Sequence, residues 1–84
     1  MDSGDLKFPL DCQYRIIAEN RPNMHFVIET VLMELGILMP LVDQRMSSDG
    51  RYFSFSVDVR VDSLEMMNAI DAALRAIDGV RMVL

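Results

Sequence analysis

Ten consecutive residues in the second half of the chain alternate strictly between two kinds of side chain, which constrains the fold more than any other feature. One set is apolar and consists of Phe53, Phe55, Val57, Val59 and Val61. The other consists of Tyr52, Ser54, Ser56, Asp58 and Arg60, and is polar except for the tyrosine ring. Successive side chains of a strand point to opposite faces, so a period of two predicts a strand with one buried and one polar face. A sheet built around this strand needs an apolar cover on one side only.

Two further segments have the spacing of helices that each bury one stripe. The apolar positions recur every three or four residues: Met24, Val27, Ile28, Val31, Leu32 and Leu35 in the first helix, then Met67, Ile70, Leu74 and Ile77 in the second. Gly36 and Gly79 follow the two patterns and predict their ends. We expect Asn20 to cap the first helix, with Pro22 close to its first position. Asp62 and Glu65 have the spacing of a capping box for the second helix.

The remaining segments predict three more strands. Residues 14–19 are rich in Ile and Tyr, residues 37–47 contain Pro40 as an edge strand would, and residues 80–84 are mostly apolar. Residues 48–50 predict the turn before the alternating strand. The order is βαββαβ, with two helices to cover one sheet face. It predicts an α+β, ferredoxin-like two-layer sandwich with a four-stranded, mainly antiparallel sheet of order 4-1-3-2.

The length of 84 residues corresponds to one domain. Residues 1–12 are predicted to be a flexible N-terminal arm, with Phe8 to Leu10 folding back onto the domain. Residues 13–84 are predicted to form a single domain. A chain this short buries a thin core and gains from association with another chain.

Composition and charge disfavour several classes of partner. The net charge of −5 repels phosphate backbones, so no nucleic-acid partner is predicted. No apolar run approaches the roughly 18 residues that span a bilayer, and the N-terminus lacks the order of a signal peptide. Cys12 is the sole cysteine, so no intramolecular disulfide can form. We expect a cytoplasmic protein with no membrane contact.

Several motifs resemble those of ACT domains, the small regulatory modules attached to many amino-acid biosynthetic enzymes. They are the loop Asn20-Arg21-Pro22-Asn23, the spaced Ile28, Leu32 and Gly36-Ile37, and the ending from Leu74 to Val83. Asn23 stands where those domains usually have glycine, and His25 where leucine is usual. The resemblance implies ACT-like topology, with the first loop as the place where a ligand would bind.

A second resemblance covers nearly the whole chain and is to the YbeD-like proteins, small bacterial chains of unknown function. It rests on Phe8-Pro9 before Tyr14-Arg15-Ile16-Ile17, on the spaced Ser47, Ser48, Gly50, Tyr52, Ser54 and Ser56, and on the ending Val80 to Leu84. It implies a standalone ACT-like module with a regulatory or interaction role and no established reaction.

The first loop supplies the candidate ligand-binding residues Glu19, Asn20, Arg21 and Asn23. A helix N-terminus attracts a carboxylate, and Arg21 would add a charge-assisted hydrogen bond. The alternative interpretation is a capped helix start with solvated polar residues. His25 has no partner for acid–base work and no companion for metal ligation. We therefore predict no catalytic residue, no metal site and no cofactor.

Two functions from different classes remain open. The first is a non-enzymatic regulatory or protein-interaction module that binds another protein or a second copy of itself as a homodimer. The alternative is an ACT-like sensor of an amino acid or a similar small carboxylate. The terminal strand, Val80 to Leu84, is the predicted contact with a second copy, because Arg81 is its sole charge whereas Pro40, Asp43 and Arg45 disrupt the other edge.

The role of four methionines has two interpretations. Met33, Met39, Met46 and Met66 are hard to bury together in a small core. Because methionine adapts to irregular contacts, the favoured interpretation is that these residues fill gaps in the core, and the alternative is that they line the surface of a partner.

Overall fold

The computed structural model describes residues 7–84, which form six elements in the predicted order. These are β1 (Leu10–Glu19), α1 (Met24–Glu34), β2 (Val42–Met46), β3 (Tyr52–Val61), α2 (Leu64–Arg75) and β4 (Val80–Val83). The strands form one sheet in the order β2-β3-β1-β4, and all three pairings are antiparallel. The predicted ferredoxin-like sandwich with sheet order 4-1-3-2 is confirmed.

Strand β1 begins at Leu10, earlier than the predicted strand at residues 14–19. It pairs with β3 without interruption from Leu10 opposite Val61 to Glu19 opposite Tyr52. Residues 10–12, assigned from the sequence to an N-terminal arm, therefore lie in the sheet. Residues 1–6 of that arm lie outside the described residues. Phe8 packs against the core, as expected of a segment that folds back onto the domain.

The core lies between the two helices and one face of the sheet. The largest side chains that are almost completely buried come from both layers: Ile16, Val57 and Val61 from strands, Ile28 and Leu32 from α1, and Ile70 and Leu74 from α2. Phe55 is 3% exposed and stacks on Phe53 with ring centroids 5.1 Å apart. The apolar side of the alternating strand thus forms the floor of the core, as its period of two predicts.

The opposite face of the sheet carries no helix. Asp58 and Arg60 are exposed there, as predicted, but Ser56 is only 1% exposed. Its Cα partners are Arg15 on one side and Val42 on the other. The small hydroxymethyl group is covered by these longer neighbours, so its burial reflects size and not a change of face.

Both helices begin one or more residues later than the sequence motifs predict. The N-cap of α1 is Asn23, whose backbone is left-handed at φ 66°, so the prediction of Asn20 as the cap is wrong. The N-cap of α2 is Ser63, whose Oγ accepts a hydrogen bond from Met66 N at 3.1 Å. A serine hydroxyl at this position satisfies a free N–H of the first turn, which the neighbouring Asp62 was predicted to do.

Gly36 directly follows the C-cap residue of α1 and ends the helix, as predicted. Its φ is +81°, and two hydrogen bonds of 2.9 Å close the last turn, from Gly36 N to Met33 O and from Ile37 N to Leu32 O. This pattern satisfies carbonyls that the helix end would otherwise leave without a partner. Within residues 7–84, neither helix has the length and apolar character needed to cross a membrane.

Candidate functional site

The loop between β1 and α1 is held between two other turns of the chain. Glu19 N donates to Gly79 O at 2.8 Å in the turn before β4. Asn20 N donates to Arg51 O at 2.9 Å in the hairpin that joins β2 and β3. Three segments that are distant in the sequence thus meet at one end of the sheet.

The carboxylate of Glu19 is the centre of an ion-pair network. Its Oε1 lies 2.7 Å from Arg21 Nη2 and accepts a hydrogen bond from Arg21 Nε at 2.9 Å, while its Oε2 contacts Arg81 Nη2. Arg21 Nη1 also donates to Asp78 Oδ2 at 2.9 Å. Two arginines and two carboxylates therefore link the first loop to the turn that follows α2.

This network changes the protonation of its carboxylates. Hydrogen bonding from Arg21, followed by the charges of Arg21 and Arg81, lowers the pKa of Glu19 below its ordinary value. Hydrogen bonding and charge from Arg21 likewise lower the pKa of Asp78. Both groups are ionised at neutral pH, so the guanidinium of Arg21 already has two carboxylate partners. A ligand carboxylate would have to compete with them.

Gly79 allows Arg21 to lie across the turn. A Cβ atom at this position would stand 2.6 Å from Met24 Cε and 3.2 Å from Arg21 Cζ. Its φ of +96° is also a conformation that side-chain-bearing residues rarely adopt. Because Gly79 has no side chain, Met24 at the start of α1 and Arg21 can both pack against the turn before β4.

The two asparagines of the candidate site have different roles. Asn20 Nδ2 donates to Gly50 O at 3.0 Å and approaches Met46 Sδ at 3.4 Å, so its amide bridges to the β2–β3 hairpin. Asn23 makes no side-chain capping hydrogen bond. Its backbone is left-handed, a conformation that asparagine adopts more readily than most residues with a side chain.

Two clefts open beside the loop and bring the predicted residues together. The larger, of about 380 Å³, is lined by Glu19, Asn20, Arg21, Arg51, Tyr52 and Arg81. The smaller, of about 130 Å³, is lined by Asn20, Arg21, Asn23, Met24, His25, Gln44, Phe53 and Phe55. The first offers arginine side chains to an anion, and the second offers aromatic rings and amides to a small group.

Sequence reasoning missed the contributions of Arg51, Arg81 and Gln44. Each is far from the loop in sequence, and the pairing of the strands brings them to it. Of these three residues, the sequence offers a signal for Arg81 alone, because it lies in the ending from Leu74 to Val83 that resembles ACT domains.

The described residues hold no arrangement typical of catalysis or metal binding. His25 is exposed and pairs with Glu29, with Nε2 3.4 Å from Oε2. In residues 7–84 no three His, Cys, Asp or Glu side chains are grouped so that they would hold a metal ion. The chemistry that the loop supports is electrostatic and hydrogen-bonding recognition.

Apolar side chains are exposed on the sheet face that the helices leave open. Ile17 lies opposite Met82 in β4 and opposite Ser54 in β3. Leu84 exchanges two backbone hydrogen bonds with Arg15, of 3.1 and 2.8 Å, and Val42 lies opposite Ser56. We name Ile17, Val42, Met82 and Leu84 the sheet-face patch. Leu84 is 64% exposed, Met82 46% and Val42 37%, whereas Ile17 is half-buried.

Comparison with known proteins gives one family match over residues 4–84, described as protein of unknown function (DUF493). The UPF0250 protein PM1928 of Pasteurella multocida (strain Pm70) is 30% identical over 79 residues. That alignment covers 94% of this chain and 90% of the relative.

Several solved structures share the fold, among them the following two. The solution structure of protein HP0495 from H. pylori has a TM-score of 0.74 at 20% identity, covering 100% of this chain and 94% of that one. The crystal structure of the ACT domain from the GTP pyrophosphokinase of Chlorobium tepidum has a TM-score of 0.69 at 17% identity. It covers 89% of this chain and 95% of that one. At these identities the likeness concerns the fold alone.

Proposed function

The chain belongs to the DUF493 family, in agreement with its resemblance to the YbeD-like proteins, and on this premise we propose that it is a non-enzymatic interaction module. It acts by binding protein chains, and the first partner is a second copy, to give a homodimer. A regulatory role in the bacterial cytoplasm belongs to the same proposal. The observation that carries it is the sheet-face patch.

The sheet-face patch has the properties of a contact surface. Its exposed apolar side chains lose contact with water when a second surface covers them, which is favourable. Ser54 lies beside Ile17, and its small, partly exposed side chain leaves room for the side chains of a partner. Arg15 lies within the patch, between Ser56 and Leu84, and Glu19 lies at the end of β1 opposite Tyr52, so polar contacts would accompany the apolar ones.

The edges of the sheet support self-association less well than its face. At the β4 edge, Arg75 Nη2 donates to Val83 O at 2.9 Å, so α2 itself occupies that carbonyl. At the β2 edge, Asp43 has a φ of 51° and the pairing shifts between Val42 and Arg45. Such interruptions discourage strand addition. We therefore place the contact on the open face and not on the terminal strand that the sequence favoured.

Sedimentation velocity up to high micromolar concentration tests the dimer. The wild type should show a concentration-dependent rise in sedimentation coefficient, and Met82→Asp should abolish it, because a symmetric contact brings the two new carboxylates together. Leu64→Asp is the control, since Leu64 is 38% exposed at the start of α2 and lies outside the patch. A wild type that stays monomeric throughout would contradict self-association.

A second candidate function is an ACT-like sensor for an amino acid or a similar small carboxylate. It is favoured by the clefts beside the first loop, where Arg51 is largely exposed and the Asn23 side chain makes no capping hydrogen bond. The free N–H groups at the start of α1 and the two clefts together offer partners for both ends of an amino acid.

Thermal melts with each free amino acid test the sensor. A ligand at 100 times its dissociation constant should stabilise the protein by about 2.7 kcal/mol. Asn23→Gly keeps the left-handed backbone and removes only the amide, so it should reduce the shift without unfolding the protein. Arg51→Gln tests the charge of the larger cleft in the same way. No shift with any amino acid would exclude this class of ligand.

A further inference from the structure

Helix α1 has a second apolar face that points away from the core. Its buried residues are Met24, Ile28 and Leu32. On the opposite side, Phe26 is 68% exposed and Met33 55% exposed. These two residues are seven apart with Thr30 between them, so all three lie on one stripe of the helix. An outward-facing phenylalanine is unusual for a helix that covers a sheet.

The connection after α1 extends this surface. Leu38 is 82% exposed and Met39 51% exposed. A groove of about 260 Å³ lies between the helix and this connection, lined by Glu29, Met33, Ile37, Leu38, Met39 and Pro40. Phe26, Thr30, Met33, Leu38 and Met39 are named here the α1 outer surface. Thr30 Oγ1 donates to Phe26 O at 2.8 Å, so the hydroxyl in the middle of the stripe is satisfied within the helix.

The charges beside the α1 outer surface are all of one sign. Glu29 and Glu34 flank the stripe on its two sides. Between Arg21 and Arg45 the sequence contains no lysine or arginine. A second copy of the chain placed symmetrically on this surface would bring glutamates together. An anionic lipid surface would be repelled for the same reason.

We propose that the α1 outer surface docks a basic amphipathic helix of a partner protein. Apolar residues of the partner at three- and four-residue spacing fill the groove beside Met33, and lysine or arginine residues on either side pair with Glu29 and Glu34. The unbranched side chains of Met33 and Met39 adapt to the shape of such residues. The inference rests on the proposed role as an interaction module but uses a surface separate from the sheet-face patch.

Titration of the isotope-labelled protein with a designed helical peptide tests the proposal by NMR. The peptide carries leucine at i, i+3, i+4 and i+7 and lysine at its other positions. Its controls are a scrambled peptide of the same composition and a version with glutamate in place of lysine. The lysine peptide should change the amide chemical shifts chiefly at Phe26, Thr30, Met33, Leu38 and Met39. Neither control peptide should do so.

Two variants separate the apolar and the charged contributions. Phe26→Ser should weaken binding about tenfold or more, because the largest exposed apolar side chain is removed. Glu29→Lys combined with Glu34→Lys should weaken the lysine peptide and allow the glutamate peptide to bind. Met46→Ser is the control, since Met46 is 53% exposed on β2 and should leave the affinity unchanged.

Each contrary outcome overturns the proposal. These outcomes are shifts spread over the sheet face, equal binding of the scrambled peptide, and no binding. Co-sedimentation with phosphatidylglycerol vesicles that Phe26→Ser abolishes would assign the surface to lipid instead. Loss of self-association in Phe26→Ser would assign it to a second copy. A failed titration with intact self-association leaves the proposed function standing, so the two failures are distinguishable.

Discussion

At the residue scale, Gly79 shows how tightly the first loop is packed against the turn before β4. Gly79→Ala places a Cβ within 2.6 Å of Met24 Cε and forces a left-handed backbone on alanine. We expect a loss of about 1–3 kcal/mol in the free energy of unfolding, measured by urea denaturation, because the backbone is strained and the flexible ends of Met24 and Arg21 must move aside.

Gly36→Ala is the matched control for this prediction. Gly36 has a similar φ of +81°, but no heavy atom lies within 4 Å of the added Cβ. The variant should lose only the backbone contribution of about 1–2 kcal/mol. Equal losses in the two variants would show that the contacts of Met24 and Arg21 with Gly79 add nothing to the cost of the backbone conformation.

The carboxylate of Glu19 predicts a pH dependence. Its pKa is lowered in the folded state, chiefly by hydrogen bonding from Arg21, so the folded state binds the proton less readily than the unfolded state. The stabilisation is therefore complete above the ordinary pKa of 4.5 and is lost as the pH falls through the lower folded value.

Urea denaturation of wild type and Glu19→Gln from neutral pH to acid measures this effect. The variant should be less stable at neutral pH, and the difference should shrink below pH 4.5, the ordinary pKa of this group. Added salt should reduce the difference because the network is exposed. A difference that stays constant across the whole range would exclude an electrostatic origin.

The first loop also shows that the hydrogen-bond partner of a residue cannot always be predicted from the neighbouring sequence. Asn20 was expected to cap α1, because asparagine before a helical pattern usually does so. Its amide instead bonds the carbonyl of Gly50, which the pairing of β2 with β3 brings near. The same residue type suits both roles, and only the tertiary fold decides between them. Asp78 and Arg81 lie in the ending that resembles ACT domains, but their ion pairs with the first loop depend on the tertiary fold in the same way.

At the scale of elements, the sequence predicts the buried residues of strand β3 more accurately than those of helix α1. The period of two in β3 predicted which residues are buried, with Phe55, Val57, Val59 and Val61 all in the core. The stripe predicted for α1 leaves out Phe26 and Met33, which are exposed, but it includes Val27, which is 42% exposed. Met33, Met39 and Met46 are exposed and so do not fill gaps in the core, whereas Met66 packs against it.

Two phenylalanine-to-alanine substitutions compare the core side of the sheet with the outer face of α1. Phe55→Ala should cost about 3–5 kcal/mol in the free energy of unfolding, because the ring is buried and stacked on Phe53. Phe26→Ala should change it by less than about 0.5 kcal/mol, since its ring is exposed. Thermal or urea denaturation measures both, and comparable losses would mean that Phe26 packs within the core.

At the scale of the whole molecule, the order of elements was sufficient to predict the topology. Two helices with one buried stripe each, and one long strand with a single apolar face, leave few ways to enclose a core. The sequence did not predict what the open face of the sheet is for. That depends on which apolar residues of different strands become neighbours, as Ile17 and Met82 do.

Isotope-filtered NMR on an equal mixture of labelled and unlabelled protein tests the central claim that the module associates through its open sheet face. We expect intermolecular contacts among the methyl groups of Ile17, Val42, Met82 and Leu84, and their loss in Met82→Asp. Contacts that instead join backbone groups of β4 strands, or that involve Phe26, would contradict this account. The absence of any intermolecular contact at high micromolar concentration would contradict it as well.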